Sequence, residues 1–159
     1  MSTVEIGGEP AFASDQALKK HYQDYIRTIN LYSAQLASST AEHRSQSKDD
    51  DDRSESNDNR PLDRFLSHNP VHNDKTLSKE GYHALILPGS VFHIERLVGD
   101  AKESSIGARL KIEIRDWDGE EEEGDGRWRM SMKEVKENVF YELDQMGRIV
   151  QVWSMVEGL

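Results

Sequence analysis

The spacing of apolar positions changes character along the chain, and each change marks a different element. After Ser14, a good N-cap, Leu18, Tyr22, Tyr25, Ile29, Tyr32 and Leu36 are spaced 4, 3, 4, 3 and 4. That spacing holds all six on one helical face, with Lys19, Lys20, Gln23, Asp24 and Arg27 opposite. It predicts one long amphipathic helix of about twenty residues laid on an apolar surface. Each tyrosine in the stripe needs a hydroxyl partner once buried. Pro61 suits a first helical turn, and Leu62, Phe65 and Leu66 give a short second helix its apolar face. Ser78 caps a third, which buries Tyr82, Leu85 and Ile86 and stops at Leu87-Pro88-Gly89. Between the second and third, Pro70 to Thr76 reads as a short strand and turn.

Beyond Gly89 the period falls to two. Val91 to Val98 reads as one strand. Ile106, Ala108, Leu110, Ile112 and Ile114 alternate with polar residues, which marks a strand with one buried face. Trp128, Met130 and Met132 continue the alternation after an acidic hairpin tip at 116–126. Val135, Val139, Tyr141 and Leu143 then take the other parity, which predicts a bulge near Lys133-Glu134. Asp144-Gln145-Met146-Gly147 turns into a last strand, Arg148 to Val156. Helices gathered on one side of a strongly bent antiparallel sheet make an α+β domain, a sandwich or half-barrel.

Composition alters this picture mainly in two places. The chain has 159 residues, 35% of them hydrophobic, and a net charge of −10. Residues 48–58 and 116–125 together hold 13 of the 30 acids but only 2 of the 20 bases, so the remainder is near neutral. No basic stripe is left to neutralise phosphates, which disfavours nucleic acid as a partner. Neither acidic run has the spacing of a Ca²⁺ loop. Residues 38–59 carry one alanine and nothing larger that is apolar. Such a segment cannot offset its ordering entropy and reads as a disordered acidic insert. The expected organisation is a flexible N-terminus over 1–13 and one domain over 14–157. No run approaches the about 18 apolar residues of a membrane span, and no leader pattern opens the chain. With no cysteine present, a cytoplasmic setting is the expectation.

The order of elements, with the ending NVFYELDQMGRIVQVWSMVE, resembles the SnoaL-like family of the nuclear transport factor 2-like superfamily. Members close with a strand, a Gly-Lys/Arg-Ile-Val turn and a strand bearing tryptophan, here Gly147-Arg148-Ile149-Val150 and Trp153. The segments HNDKTLSKEGYHALI and SIGARLKIEI are similar to the family's middle. The resemblance covers 14–37 and 61–157. It implies a cone-shaped half-barrel in which three N-terminal helices close a concave sheet. It also implies an enclosed pocket and cofactor-independent acid/base chemistry on a small apolar carbonyl compound. In the related ketosteroid isomerase, a first-helix tyrosine that donates to the oxyanion matches Tyr25 in YIRTIN. The aspartate base falls on Asn73, which takes no proton, and the second acid falls near Val139. The Gly-Thr-His motif of SnoaL falls in the acidic hairpin, Arg115 to Gly126, where it is absent. Neither catalytic set is intact.

The candidate site therefore combines Tyr25 as donor with His72 or Asp74 as base, since these two flank Asn73. A histidine suits that task because its unperturbed pKa of about 6.5 lets it gain and lose a proton near neutrality. By strand alternation alone, His72 points outward. Asn73, Tyr22, Phe92, Val139 and Tyr141 are the expected ligand contacts. A core tyrosine bonded to a carbonyl is the structural alternative for Tyr25. His93 and Glu95 share a strand face and read as an outer pair, with no third ligand at metal-binding spacing. Arg109 reads as an anchor for Glu95 or Glu142. Two functions stay open: a cyclase, isomerase or dehydratase acting on a polyketide- or terpenoid-like intermediate, and a non-catalytic binding or dimerising module. The second gains if no titratable side chain faces the pocket. Phe140, Ile149, Trp153 and Met155 would leave an apolar outer patch, which predicts a homodimer.

Overall fold

A computed structural model describes residues 11–43, 60–118 and 129–157. The long helix α1 (Asp15–His43) leads, followed by a 3-10 helix (Pro61–Phe65). Strands β1 (Leu66–His72) and β2 (Lys75–Thr76) come next, then the short helix α2 (Lys79–His83). Four long strands complete the chain: β3 (Val91–Asp100), β4 (Ser105–Asp118), β5 (Arg129–Leu143) and β6 (Ile149–Glu157). With β1 and β2 they form one six-stranded sheet in the order β2-β1-β6-β5-β4-β3. No described helix is long and apolar enough to cross a membrane.

Helix α1 begins where its cap is. The Ser14 hydroxyl accepts from the Ala17 N–H at 3.1 Å, satisfying one of the first-turn donors. Leu18, Tyr22, Tyr25 and Ile29 are all buried, and Ile26 joins them. They meet Leu110, Ile112, Val135, Val139 and Tyr141 from the inner sheet face in one core. The helix outruns its predicted length because it continues to His43, so the first six residues of the expected insert are helical. Residues 44–59 and 119–128 lie outside the described residues, and of the hairpin tip expected over 116–126, residues 116–118 are strand. Within the expected flexible N-terminus, residues 1–10 are also outside them. Phe12 packs on the His21 ring, with centroids 4.8 Å apart.

Three of the predicted features differ. Of the three expected helices, two are α-helical, and α2 spans only 5 residues. The middle one is a 3-10 turn, because Leu66 must go extended to pair with Ile149. The sheet is mixed rather than antiparallel: β1 runs parallel to β6, with His72 opposite Val152. Finally, no bulge interrupts β4–β5, whose register runs unbroken from Ser105↔Glu142 to Asp118↔Arg129. The parity change in the sequence instead records which face is apolar, since Met132 is exposed while Val135, Val139, Tyr141 and Leu143 are buried. Register shifts occur elsewhere, between Ile94 and Arg96 and between Glu142 and Leu143. Leu85, expected in the core, is 49% exposed.

Two asparagines pin strand edges. The Asn30 amide donates to the Phe92 carbonyl at 3.0 Å and accepts from the Phe92 N–H at 2.8 Å. It stands in for a neighbouring strand at the sheet edge. The buried Ser33 hydroxyl similarly ties α1 to the Ser90 carbonyl at 2.8 Å. Leu110, 1% exposed on the central part of β4, tests the core. Leu110→Ala should cost about 2–5 kcal/mol in urea unfolding. The outer-face change Met132→Ala should stay within about 0.5 kcal/mol.

Candidate functional site

Between α1, α2 and the inner sheet face lies a cavity of about 290 Å³. Its wall is mostly apolar, with Ile26, Ile29, Ile86, Leu110, Ile112 and Val152 among the lining side chains. Into this surface project three tyrosines (Tyr25 from α1, Tyr82 from α2, Tyr141 from β5), together with Glu137 from β5 and His72 from β1. An apolar pocket with a few convergent polar groups is the usual form of a small-molecule site.

The tyrosines form hydroxyl pairs. Tyr25 Oη and Tyr82 Oη are 2.7 Å apart, and Tyr22 Oη and Tyr141 Oη are 3.1 Å apart. The Tyr25 and Tyr141 rings meet edge-on, their centroids 5.8 Å apart. Burial raises the pKa of all four phenols, so each keeps its proton and can donate. A pair of hydroxyls has two hydrogens and spends one on their mutual bond. Tyr25 also hydrogen-bonds Tyr141, so the four phenols join in one chain whose single uncommitted O–H can fall at its Tyr82 end and turn to a ligand. Tyr22 lies behind Tyr141, against a small secondary void rather than the main cavity.

The carboxyl on the cavity wall is Glu137 rather than Asp74. It shares its inward parity with Val135, Val139 and Tyr141 and is half-buried. The Ser154 hydroxyl donates to its Oε2. Burial pushes its pKa up, against the lowering effect of that hydrogen bond. An acid at an alternating core position is the signal that could have found it, two residues from the Val139 position where the resemblance put an acid. His72 is half-buried and lines the cavity, contrary to its outward expectation from alternation. Its ring meets Tyr82 edge-on at 6.3 Å. Burial lowers its pKa, which favours the neutral imidazole.

Phe92, Val139 and Tyr141 line the cavity, whereas Asn73 and Asp74 do not. Those two form the β1–β2 turn with φ of 48° and 72° and are exposed. A two-residue hairpin turn with both residues at positive φ suits Asn and Asp. Asn73 instead grips the Ser154 backbone. On the outer face, His93 meets Glu113 at 2.9 Å rather than Glu95. Glu95 is held by Lys136 at 2.7 Å and by Arg109 at 3.6 Å. Arg109 also reaches Glu157 at 3.4 Å. Among the described residues, no three His, Asp or Glu side chains gather where they could hold a metal ion.

The raised carboxyl makes a pH prediction. Glu137 holds its proton more tightly folded than unfolded, so its contribution to stability is complete below about pH 4.3. That contribution is lost as pH rises through the folded-state value. Glu137→Gln, which cannot ionise, should match wild type at about pH 4 and gain on it progressively toward pH 8 in paired thermal melts. A difference that stays constant with pH would mean the carboxyl is not shifted.

No family model matches the chain, and no curated protein matches it. Solved structures do. The chain is similar to TsrD from Streptomyces laurentii, with TM-score 0.57, 16% identity and 91% of each chain covered. It is also similar to SalBIII, described as an epoxide hydrolase/cyclase-like enzyme in pyran ring formation in polyether salinomycin. That match has TM-score 0.54 and 12% identity, and covers 91% of this chain and 94% of the other. A Shewanella denitrificans protein, provisionally named a SnoaL-like polyketide cyclase, matches at TM-score 0.54 and 11% identity, over 88% and 90% of the two chains. At these identities the likeness concerns the backbone, and by that measure the chain has the fold of the SnoaL-like proteins.

Proposed function

We propose that this chain is a cofactor-independent enzyme of the cyclase, isomerase or dehydratase kind. Its substrate would be a small, apolar, carbonyl-containing compound of polyketide or terpenoid type. The observation that carries the reading is the meeting of two titratable groups and a hydroxyl pair on one apolar cavity. Their surroundings favour a neutral imidazole at His72 and a protonated carboxyl at Glu137. Such a division supplies a base and an acid at the same pH. In this scheme His72 takes a proton from the carbon next to the carbonyl. The Tyr25–Tyr82 pair donates to the oxygen as negative charge develops there, and Glu137 returns a proton. A non-catalytic binding module is what remains if the two titratable groups prove idle.

The test begins with native mass spectrometry of the purified protein for a retained small molecule, followed by turnover assays with carbonyl compounds of that class. Tyr25→Phe should lower kcat by about 10²–10³, the usual worth of one oxyanion donor, while the Tyr82 hydroxyl that loses its partner costs about 1–3 kcal/mol of stability. His72→Gln should remove the fall in rate that wild type shows as acid protonates the imidazole. Normal binding and turnover by Tyr25→Phe, His72→Gln and Glu137→Gln together would sink the site.

The same reading includes a homodimer joined through the outer sheet face. Phe140 and Trp153 stand opposite each other in the β5–β6 register, with ring centroids 5.7 Å apart, and Met155 adjoins them. All three are exposed, whereas Ile149 of the predicted patch is buried. Light scattering should give twice the chain mass at micromolar concentration, and Trp153→Lys should give the monomer. A wild-type monomer under those conditions would remove the dimer.

A further inference from the structure

The turn between β1 and β2 is built in a way that its shape alone does not require. Glycine would serve positive φ at least as well as Asn73, whose φ is 48°. What asparagine adds is its amide. It donates to the Ser154 carbonyl at 3.1 Å and accepts from the Ser154 N–H at 2.8 Å. The Asn73 N–H donates to the Val152 carbonyl at 2.9 Å. The parallel pairing of β1 with β6 has its last rung at His72↔Val152. The Asn73 side chain supplies the following one. On the other side of β6, Ser154 stands opposite Val139 of β5. Its backbone is thus tied on both sides.

Its side chain shares the parity of Val152 and Val156, both of which line the cavity. From there the hydroxyl donates to Glu137 Oε2. We propose that Asn73 and Ser154 are positioning residues, a relay from the turn through β6 that fixes how the Glu137 carboxyl is presented to the cavity. The inference deepens the reading of Glu137 as the acid, yet the relay itself rests on hydrogen-bond geometry alone. It also gives Asn73 a role in the site without contact to any ligand.

The groups that face the carboxyl set the background for a test. Tyr25 from α1, Tyr82 from α2, Tyr141 from β5 and His72 from β1 line the same cavity. Each of the three tyrosines, and Tyr22 behind them, interacts electrostatically with Glu137. Strands β3 and β4 present apolar side chains there, Phe92, Leu110 and Ile112. The Ser154 hydroxyl is the side-chain donor that counters the effect of burial on Glu137.

The experiment is a pH titration of the full chain carrying ¹³C-carboxyl glutamate, followed by NMR, with Glu137→Gln assigning the resonance. Ser154→Ala should move the Glu137 midpoint upward by roughly one pH unit, the order expected for one lost hydrogen bond to a charged acceptor. Ser154→Thr keeps a hydroxyl and should titrate close to wild type. Asn73→Gly keeps the turn conformation and should shift the midpoint upward by a smaller amount. In the Ser154→Ala background the same change should add nothing, since its effect passes through that hydroxyl. An unchanged midpoint in Ser154→Ala overturns the relay, as does an Asn73→Gly shift of equal size in both backgrounds. No substrate enters this measurement, so its failure is separate from a failure of the turnover assays.

Discussion

The constraint on which the structure turns is that α1 buries two phenols, Tyr22 and Tyr25, among the aliphatic side chains it packs against the sheet. An unpaired buried hydroxyl costs about 1–3 kcal/mol, whereas a made hydrogen bond contributes only about 1 kcal/mol net. The helix must therefore sit where its hydroxyls find partners. Tyr22 finds Tyr141 on β5, and Tyr25 finds Tyr82 on α2. These two bonds link the helix to the middle of the sheet and to the short helix that closes one side of the cavity. An aliphatic stripe could slide by a fraction of a turn at small cost. A stripe of paired hydroxyls cannot, and the open space beside it is kept.

The same demand for satisfied polar groups explains the two asparagines. Strand β3 is a sheet edge, and β6 outruns β1, so each leaves backbone groups without a neighbouring strand. A side-chain amide carries one donor and one acceptor in the geometry of a peptide. Asn30 and Asn73 each complete one rung with it, on Phe92 and Ser154. The buried His83 plays a related part: its Nε2 accepts from the Leu62 N–H at 3.1 Å, and its Nδ1 donates to the Lys79 carbonyl at 2.8 Å. Polar side chains at these joints fasten elements that apolar packing alone would leave free to shift.

What the sequence revealed and what it hid follow from the range of the interactions concerned. The α1 stripe and the alternation of β4 are local periodicities, and both elements formed where they were read. The parallel pairing of β1 with β6 joins residues some eighty positions apart, and no local pattern encodes it. That pairing turns Leu66 from a helix into a strand and swings His72 toward the cavity. Asn73 was expected to orient a ligand because the resemblance set it where a relative has its base. Yet in the positive-φ turn its side chain bonds Ser154 instead. Glu137 was hidden by the opposite error. Its inward parity is visible in the sequence, but the resemblance matches the acid to Val139, two residues along.

Two glutamates on this one sheet show how the fold separates chemistry from surface. Glu95, on the outer face, is held by Lys136 and Arg109, and the Lys136 hydrogen bond keeps its pKa below the ordinary range. Glu137, on the inner face, meets phenols and aliphatic carbons, and burial raises its pKa. The side-chain types are identical, so the difference comes from which face of the sheet each one occupies, Glu95 on β3 and Glu137 on β5. Lys136 illustrates the point, since it is the residue before Glu137 in the chain and serves the opposite face. A one-residue slip of β5 would exchange the two environments, placing an ammonium among the phenols and leaving the acid in solvent. The continuous β4–β5 register of paired residues from Ser105 to Asp118 makes such a slip costly. The long hairpin thus does more than hold the sheet together: it keeps one acid, rather than the adjacent base, turned toward the cavity.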